Sequence, residues 1–292
     1  MADRSPDGLV VAPDGVPIAL FRSGEGSPVV VVHGATADHT TWRTSGPILA
    51  MRHTVLAMDR RGRGASGDGP AGATSDPDGR YSIEHEFDDL VAVIDLLAAE
   101  FAGPIDVVGH SYGGRIALGA ALRTANLRRV ACYEGAPPAA GHAYQPEDAG
   151  TVRRVEALVA AGDRDAALAT FMRDIVGMPE ADLGAFRADP IWPRRAAAID
   201  TTIRELGAEM SPAASIDALA AVRQPVLQIL GGASPAPFVA ATHALAERLR
   251  SGRLVVIPGA RHAAHHTHPA AFVAAIEDFL GDPDAARADV AD

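Results

Sequence analysis

The sequence predicts an α/β fold: a mostly parallel central sheet flanked by helices, with a helical segment inserted late in the chain. Three observations carry this. Apolar runs such as Pro28–Val32, Thr54–Met58 and Pro225–Leu230 are continuous rather than alternating, as parallel strands buried on both faces are. They alternate with stretches of helical periodicity, which implies strands joined by right-handed crossovers. Between Ala139 and Ala221 the strand pattern stops, and Ala-rich helical stretches broken by prolines replace it.

Taken in order, Leu9–Ala12, the turn Pro13-Asp14-Gly15 and Val16–Phe21 read as an antiparallel hairpin at one edge of the sheet. Pro28–Val32 is a central strand ending in His33-Gly34-Ala35, and Thr54–Met58 is the next, running into Asp59-Arg60-Arg61-Gly62-Arg63-Gly64-Ala65-Ser66-Gly67. Arginines among glycines could cradle a phosphate, but the Gly-Lys-Ser/Thr of a phosphate loop is absent. Gly69–Asp78 is loop. A helix starts near Ser82, with acidic residues suiting its dipole, and continues to Gly103. Pro104–Val108 is a strand, Arg115–Leu122 a helix and Arg129–Tyr133 a strand. The insertion carries helical stretches at Val152–Ala161, Asp165–Val176 and Ala196–Leu206. Pro225–Leu230 restores the sheet, followed by a helix over Pro237–Arg250, a last strand at Leu254–Ile257 and a closing helix over Pro269–Leu280. The predicted organisation is a core over 9–138 and 222–281, an insertion over 139–221, and flexible tails at 1–8 and 282–292.

Apolar residues make up 48% of the 292, enough for a sizeable core. With 26 basic and 37 acidic residues the net charge is −11, which argues against nucleic acid or an anionic membrane as the main partner. The lone Cys132 excludes an intramolecular disulfide and fits a reducing interior. The polar N-terminus lacks the apolar core of a signal peptide, and no window approaches the roughly 18 apolar residues of a membrane span. A cytoplasmic protein with a small-molecule partner is expected.

The chemistry centres on Val107-Val108-Gly109-His110-Ser111-Tyr112-Gly113-Gly114, which lies between a strand and a helix. So abrupt a turn strains its serine and leaves no room for a Cβ at Gly109 or Gly113. It presents the Ser111 hydroxyl at the end of the sheet, beside the Tyr112 amide. This Gly-x-Ser-x-Gly nucleophile elbow, in its strand-turn-helix context, resembles the α/β-hydrolase family, and the resemblance extends from about Leu9 to Leu280. It implies an α/β-hydrolase fold in which the insertion is a helical cap over the active site. Candidates to line the pocket from above are Trp192, Phe171, Met172, Phe186 and Met178, although large apolar residues more often fill a core. The resemblance also implies that Ala35, after His33-Gly34, supplies the second oxyanion-hole amide beside Tyr112. It gives the Asp59–Gly67 segment a structural role, with Asp59, Arg60 and Arg63 holding that turn.

His262 follows the last strand, where the family places its base. The neighbouring His265, His266 and His268 raise a rival metal reading, but there is no His-Glu-x-x-His and no nearby Cys. No metal or cofactor is expected. The acid departs from the family pattern: the loop after the strand that follows the insertion reads Gly231-Gly232-Ala233-Ser234-Pro235, with no carboxylate. Either the triad is incomplete or the acid comes from another strand end. Some family members carry it after the strand before the cap, and Glu134 occupies that place; its alternative role is to brace the cap hinge. The expected reaction is serine hydrolysis of a small, mostly apolar ester or lactone, with Ser111 as nucleophile, His262 as base and Glu134 as acid. A C–C bond hydrolase or a cofactor-free perhydrolase would use the same triad, and a non-catalytic binding protein on a degenerate scaffold is the alternative outside enzymes.

Overall fold

The computed structural model describes residues 4–69, 81–144, 150–208 and 211–282. The strands are β1 (Gly8–Val11), β2 (Pro17–Ser23), β3 (Ser27–Val32), β4 (His53–Met58), β5 (Ile105–His110), β6 (Leu127–Tyr133), β7 (Val226–Gly231) and β8 (Gly252–Ile257). Among the described residues they form one sheet in the order β1-β2-β4-β3-β5-β6-β7-β8. β1 and β2 are antiparallel, as is β2 to β4; every other pair is parallel. Most of the loop expected at Gly69–Asp78, residues 1–3 of the expected N-terminal tail and 283–292 of the expected C-terminal one lie outside the described residues.

The helices are α1 (Gly46–Leu49), α2 (Ile83–Glu100) and α3 (Tyr112–Ala121), then α4 (Gly150–Ala160), α5 (Arg164–Thr170), α6 (Glu180–Arg187), α7 (Trp192–Ala197), α8 (Ile199–Ala208) and α9 (Ile216–Leu219) in the insertion, and finally α10 (Ala236–Ala246), α11 (Ala264–Thr267) and α12 (Pro269–Gly281). The run of valines in β3 is explained by what lies on each side. Val30 and Val32 join an apolar cluster with α2, α3 and α10, while Val29 and Val31 join another with α12. Successive strand side chains point to opposite faces, so a layer of helices on each face demands an unbroken apolar run. Helix α2 buries Ile83, Phe87, Leu90, Ile94 and Leu97 on one stripe. The insertion has a cluster of its own, built from residues such as Val155, Leu168, Leu183, Trp192 and Ile199.

Two expected helices differ in detail. The stretch expected at Asp165–Val176 is α5 followed by a π-helical turn over Phe171–Ile175. The stretch expected at Ala196–Leu206 is divided at Ala198 between α7 and α8. The carbonyl of Ala198 accepts from the Arg63 guanidinium (2.5 Å), a partner outside the helix that the local sequence cannot announce. No helix of the described residues is long and apolar enough to cross a membrane.

Candidate active site

Strand β5 turns into α3 at Ser111, whose backbone is forced to φ 53° and ψ −124°. That conformation is costly for a residue with a Cβ and is held by its surroundings. The Ser111 N–H donates to the Tyr133 carbonyl (2.8 Å), and the Gly114 N–H donates to the Ser111 carbonyl (2.9 Å). A Cβ on Gly109 would lie 2.5 Å from the Gly113 carbonyl oxygen, and one on Gly113 would lie 2.4 Å from that of Val32. Glycine at both positions is therefore a requirement of the close approach of helix to strands, as the sequence implies.

The end of β6 brings a carboxylate to His262. Glu134 also has a positive φ, 46°, and its side chain is fully buried. One carboxylate oxygen, Oε2, lies 2.5 Å from His262 Nδ1. The other, Oε1, accepts from the Gly231 N–H (2.7 Å) and the Ser234 hydroxyl (2.6 Å). The loop after β7, which lacks a carboxylate of its own, thus contributes the donors that hold one from β6. A carboxylate only accepts, so Nδ1 of His262 carries the proton and Nε2 is left as the basic nitrogen.

His262 is fixed from other sides too. Phe238 on α10 stacks on its ring, with centroids 4.1 Å apart. Its carbonyl accepts from His110 Nε2 (2.8 Å). Burial, with His262 adding to it, holds the His110 imidazole well below the usual histidine range, so this donor stays neutral. The Tyr133 hydroxyl donates to the Arg261 carbonyl and accepts from the Ala264 N–H, pinning both flanks of His262. Sequence reasoning gives no site role to Phe238, His110 or Ser234. A signal for Ser234 was nonetheless present, since a loop of small residues in the acid's usual place still offers donors.

Ser111, Glu134 and His262 all line one cavity of about 660 Å³, together with Ala35 and Tyr112. Phe171, Met172, Met178 and Phe186 of the insertion line it as well. Trp192 does not, and the expectation that it faces the pocket is corrected: its indole lies in the insertion's apolar cluster, donates to Asp165 (2.6 Å) and packs edge-on against Phe186. An acceptor within the insertion draws the only polar atom of that ring away from the cavity. His265 and His266 border the cavity on α11, and burial lowers His266 to about 4. Elsewhere Asp38, His39 and Asp59 bring ligand atoms within 4.8 Å of one another. Their carboxylates already accept from His39, Thr40, Ala65 and Arg194.

Comparison with known proteins agrees with this architecture. A profile described as the Alpha/beta hydrolase family matches residues 29–275. The chain belongs to the α/β-hydrolase family. A solved α/β hydrolase from Sphaerobacter thermophilus DSM 20745 superposes with a TM-score of 0.75 at 31% identity, covering 94% of this chain and 100% of that one. The 2-(acetamidomethylene)succinate hydrolase of Mesorhizobium japonicum is 29% identical over 281 residues, 91% of this chain and 92% of that protein. The 2-hydroxymuconate semialdehyde hydrolase of Pseudomonas sp. (strain CF600) is 36% identical over 124 residues, 41% of this chain and 40% of that protein. Of the first relatives matched by sequence, the chain spans only 17% of the length.

Within this α/β-hydrolase the Asp59–Gly67 segment does more than hold its own turn. Asp59 does so, accepting from the Ala65 N–H (2.8 Å). Arg60 and Arg63 instead reach across to the insertion and to α2. Arg60 forks onto Glu86 (2.7 and 2.6 Å) and reaches Glu205 of α8 (2.7 Å); Arg63 reaches the same Glu205 oxygen (2.6 Å). Burial opposes charge on Arg60, but Glu205 and Glu86 outweigh it and raise its pKa well above the ordinary value. Burial likewise works against the Glu205 carboxylate, and Arg60 and Arg63 overcome it and lower its pKa.

Removing one partner of such a network strands the others. Arg60→Met is expected to destabilise the fold by about 3–5 kcal/mol, read as a fall in melting temperature of about 10 °C. A quadruple change that also makes Arg63, Glu86 and Glu205 apolar should recover much of the loss. A shift below about 2 °C for the single variant would mean that the network contributes little. Because the folded pKa of Glu205 is depressed, its contribution is full above the ordinary glutamate pKa and is lost as pH falls through the depressed value.

Proposed function

We propose that the chain is a serine hydrolase that cleaves a small, mostly apolar ester or lactone through an acyl-enzyme on Ser111. The observation that carries this reading is the hydrogen bond between Glu134 and His262 at the wall of the cavity that Ser111 also lines. With Nδ1 protonated against Glu134, Nε2 takes the Ser111 proton as the hydroxyl attacks the acyl carbon. The imidazolium then hands that proton to the leaving group, and water activated by the same nitrogen releases the acid. Ala35 and Tyr112 are the proposed oxyanion donors, each worth about 3–4 kcal/mol where such donors have been removed. The helical insertion acts as the cap, excluding water with Phe171, Met172 and Phe186. A buried lone Cys132, whose thiol burial pushes up to about 12, suits a cytoplasmic location.

A second reading, cleavage of a C–C bond beside a ketone by the same residues, is favoured by the likeness to a 2-hydroxymuconate semialdehyde hydrolase. Both readings need a reactive Ser111, whereas a binding protein does not. A fluorophosphonate is expected to label the folded protein at Ser111, located by mass spectrometry of the modified peptide. No label on a folded sample would remove both hydrolase readings and leave ligand binding.

A further inference from the structure

The cavity is lined mainly by apolar groups, yet two of its walls hold buried guanidiniums with unused donors. Arg195 on α7 and Arg115 on α3 both border it, and each is at least nine-tenths buried. Arg195 donates from Nη1 to the Thr36 carbonyl (3.2 Å), next to Ala35, while its Nε has no partner among the described residues. Arg115 makes one long bond to the Ala136 carbonyl (3.3 Å) and lies over the faces of Tyr112 and Tyr144. Its Nε and Nη1 have no partner among the described residues.

Apart from Asp182, which is exposed, the acids around the cavity are committed elsewhere. Glu134 is held by His262, Gly231 and Ser234; Glu205 is matched by Arg60 and Arg63; Asp189 is paired with Arg43. Asp38, the acid that acts most on Arg195, accepts from Thr40 and from Arg194. Burial pulls Arg195 down to about 10, with Asp38 working against the fall, so it remains a cation at neutral pH. A charge taken out of water without a partner is destabilising, and a fold keeps one where a ligand completes it. Guanidinium forks match a carboxylate, and they match it best where water is excluded.

We propose that the substrate carries a carboxylate besides the bond that is cleaved, and that Arg195 receives it, with Arg115 as the second cation of the same cavity. This deepens the hydrolase reading and rests on it. The small apolar ester or lactone becomes the ester or lactone of a chain that ends in an acid group: the apolar insertion residues cover the chain and Arg195 sets its register. Arg195 touches substrate without moving a proton. It also ties α7 to the Thr36 backbone beside the proposed oxyanion donor, so occupation of the subsite and order of that loop are linked.

The test uses matched esters in two series. One places the carboxylate on the acyl side, mono-p-nitrophenyl glutarate against p-nitrophenyl valerate; the other places it on the alcohol side, 4-acetoxybenzoate against phenyl acetate. The wild-type protein is expected to favour the carboxylated ester in at least one series by about tenfold or more in kcat/KM, the scale of one charge-assisted hydrogen bond. Arg195→Met should erase that ratio, Arg195→Lys should restore part of it, and Arg115→Met should reduce it. No preference in either series overturns the proposal, as does an Arg195→Met variant that slows both esters of a pair alike. Fluorophosphonate labelling of the same preparations separates the two readings. If Ser111 is not labelled in any of them the hydrolase reading fails, and glutarate binding by calorimetry still tests the subsite, with retention of binding in Arg195→Met counting against it.

Discussion

Replacing Ser111 by alanine is expected to lower turnover about a million-fold, the scale seen when the nucleophile of a serine triad is removed, while the fold is kept. Both halves of this follow from the elbow. The hydroxyl makes no contact on which the turn depends: the backbone N–H of Ser111 is spent on Tyr133 and its carbonyl receives Gly114. Alanine carries the same Cβ and so meets the same strain at φ 53°. Ser111→Gly should instead relieve it, raising the melting temperature slightly while abolishing activity, because glycine occupies the left-handed region at little cost. Turnover of a p-nitrophenyl ester and a thermal melt on each variant check the pair. An alanine variant that keeps more than about one percent of the wild-type rate would place the nucleophile elsewhere, since residual rates in such variants come only from binding and oxyanion stabilisation.

What could be read from the sequence depended on how local its cause was. The strands were legible because burial on both faces leaves an unbroken β-branched run, as in β3, and the elbow because its glycines sit within two residues of Ser111. Glu134 was named through the resemblance: the loop after β7 offers no carboxylate, some family members carry the acid after the strand before the cap, and Glu134 directly follows β6 there. The partners that complete the site come from far along the chain. Phe238 meets His262 only because α10 packs beside the last loop, and Arg60 meets Glu205 across 145 residues. The break at Ala198 and the inward turn of Trp192 have the same origin, in Arg63 and Asp165 respectively. Periodicity reports which face of an element is apolar. It does not report which distant polar group will claim a carbonyl or an indole N–H, and those claims decided the details of the insertion.

Glu134→Gln is expected to lower kcat about ten-thousand-fold, the loss that follows when a triad acid becomes an amide, and the hydrogen bonds around Glu134 explain why the amide has no harmless orientation. The Gly231 N–H is a fixed backbone donor at Oε1, so the amide oxygen is drawn to that side, where the Ser234 hydroxyl also donates. The NH2 group then faces His262 Nδ1, which must become an acceptor, and the ring proton moves to Nε2. In that tautomer His262 has no lone pair to take the Ser111 proton, although every atom is in place. Turning the amide over would restore the tautomer at the cost of setting an NH2 against the buried Gly231 N–H. Glu134→Asp keeps the charge but shortens the reach, and should lose less than the amide if the negative charge and tautomer matter more than position. The rates of wild type, Glu134→Gln and Glu134→Asp on one ester, with fluorophosphonate labelling of each, distinguish the cases. A loss under about tenfold for Glu134→Gln would show that Glu134 braces the loop after β7 rather than orienting the base, because removing a true triad acid is far costlier.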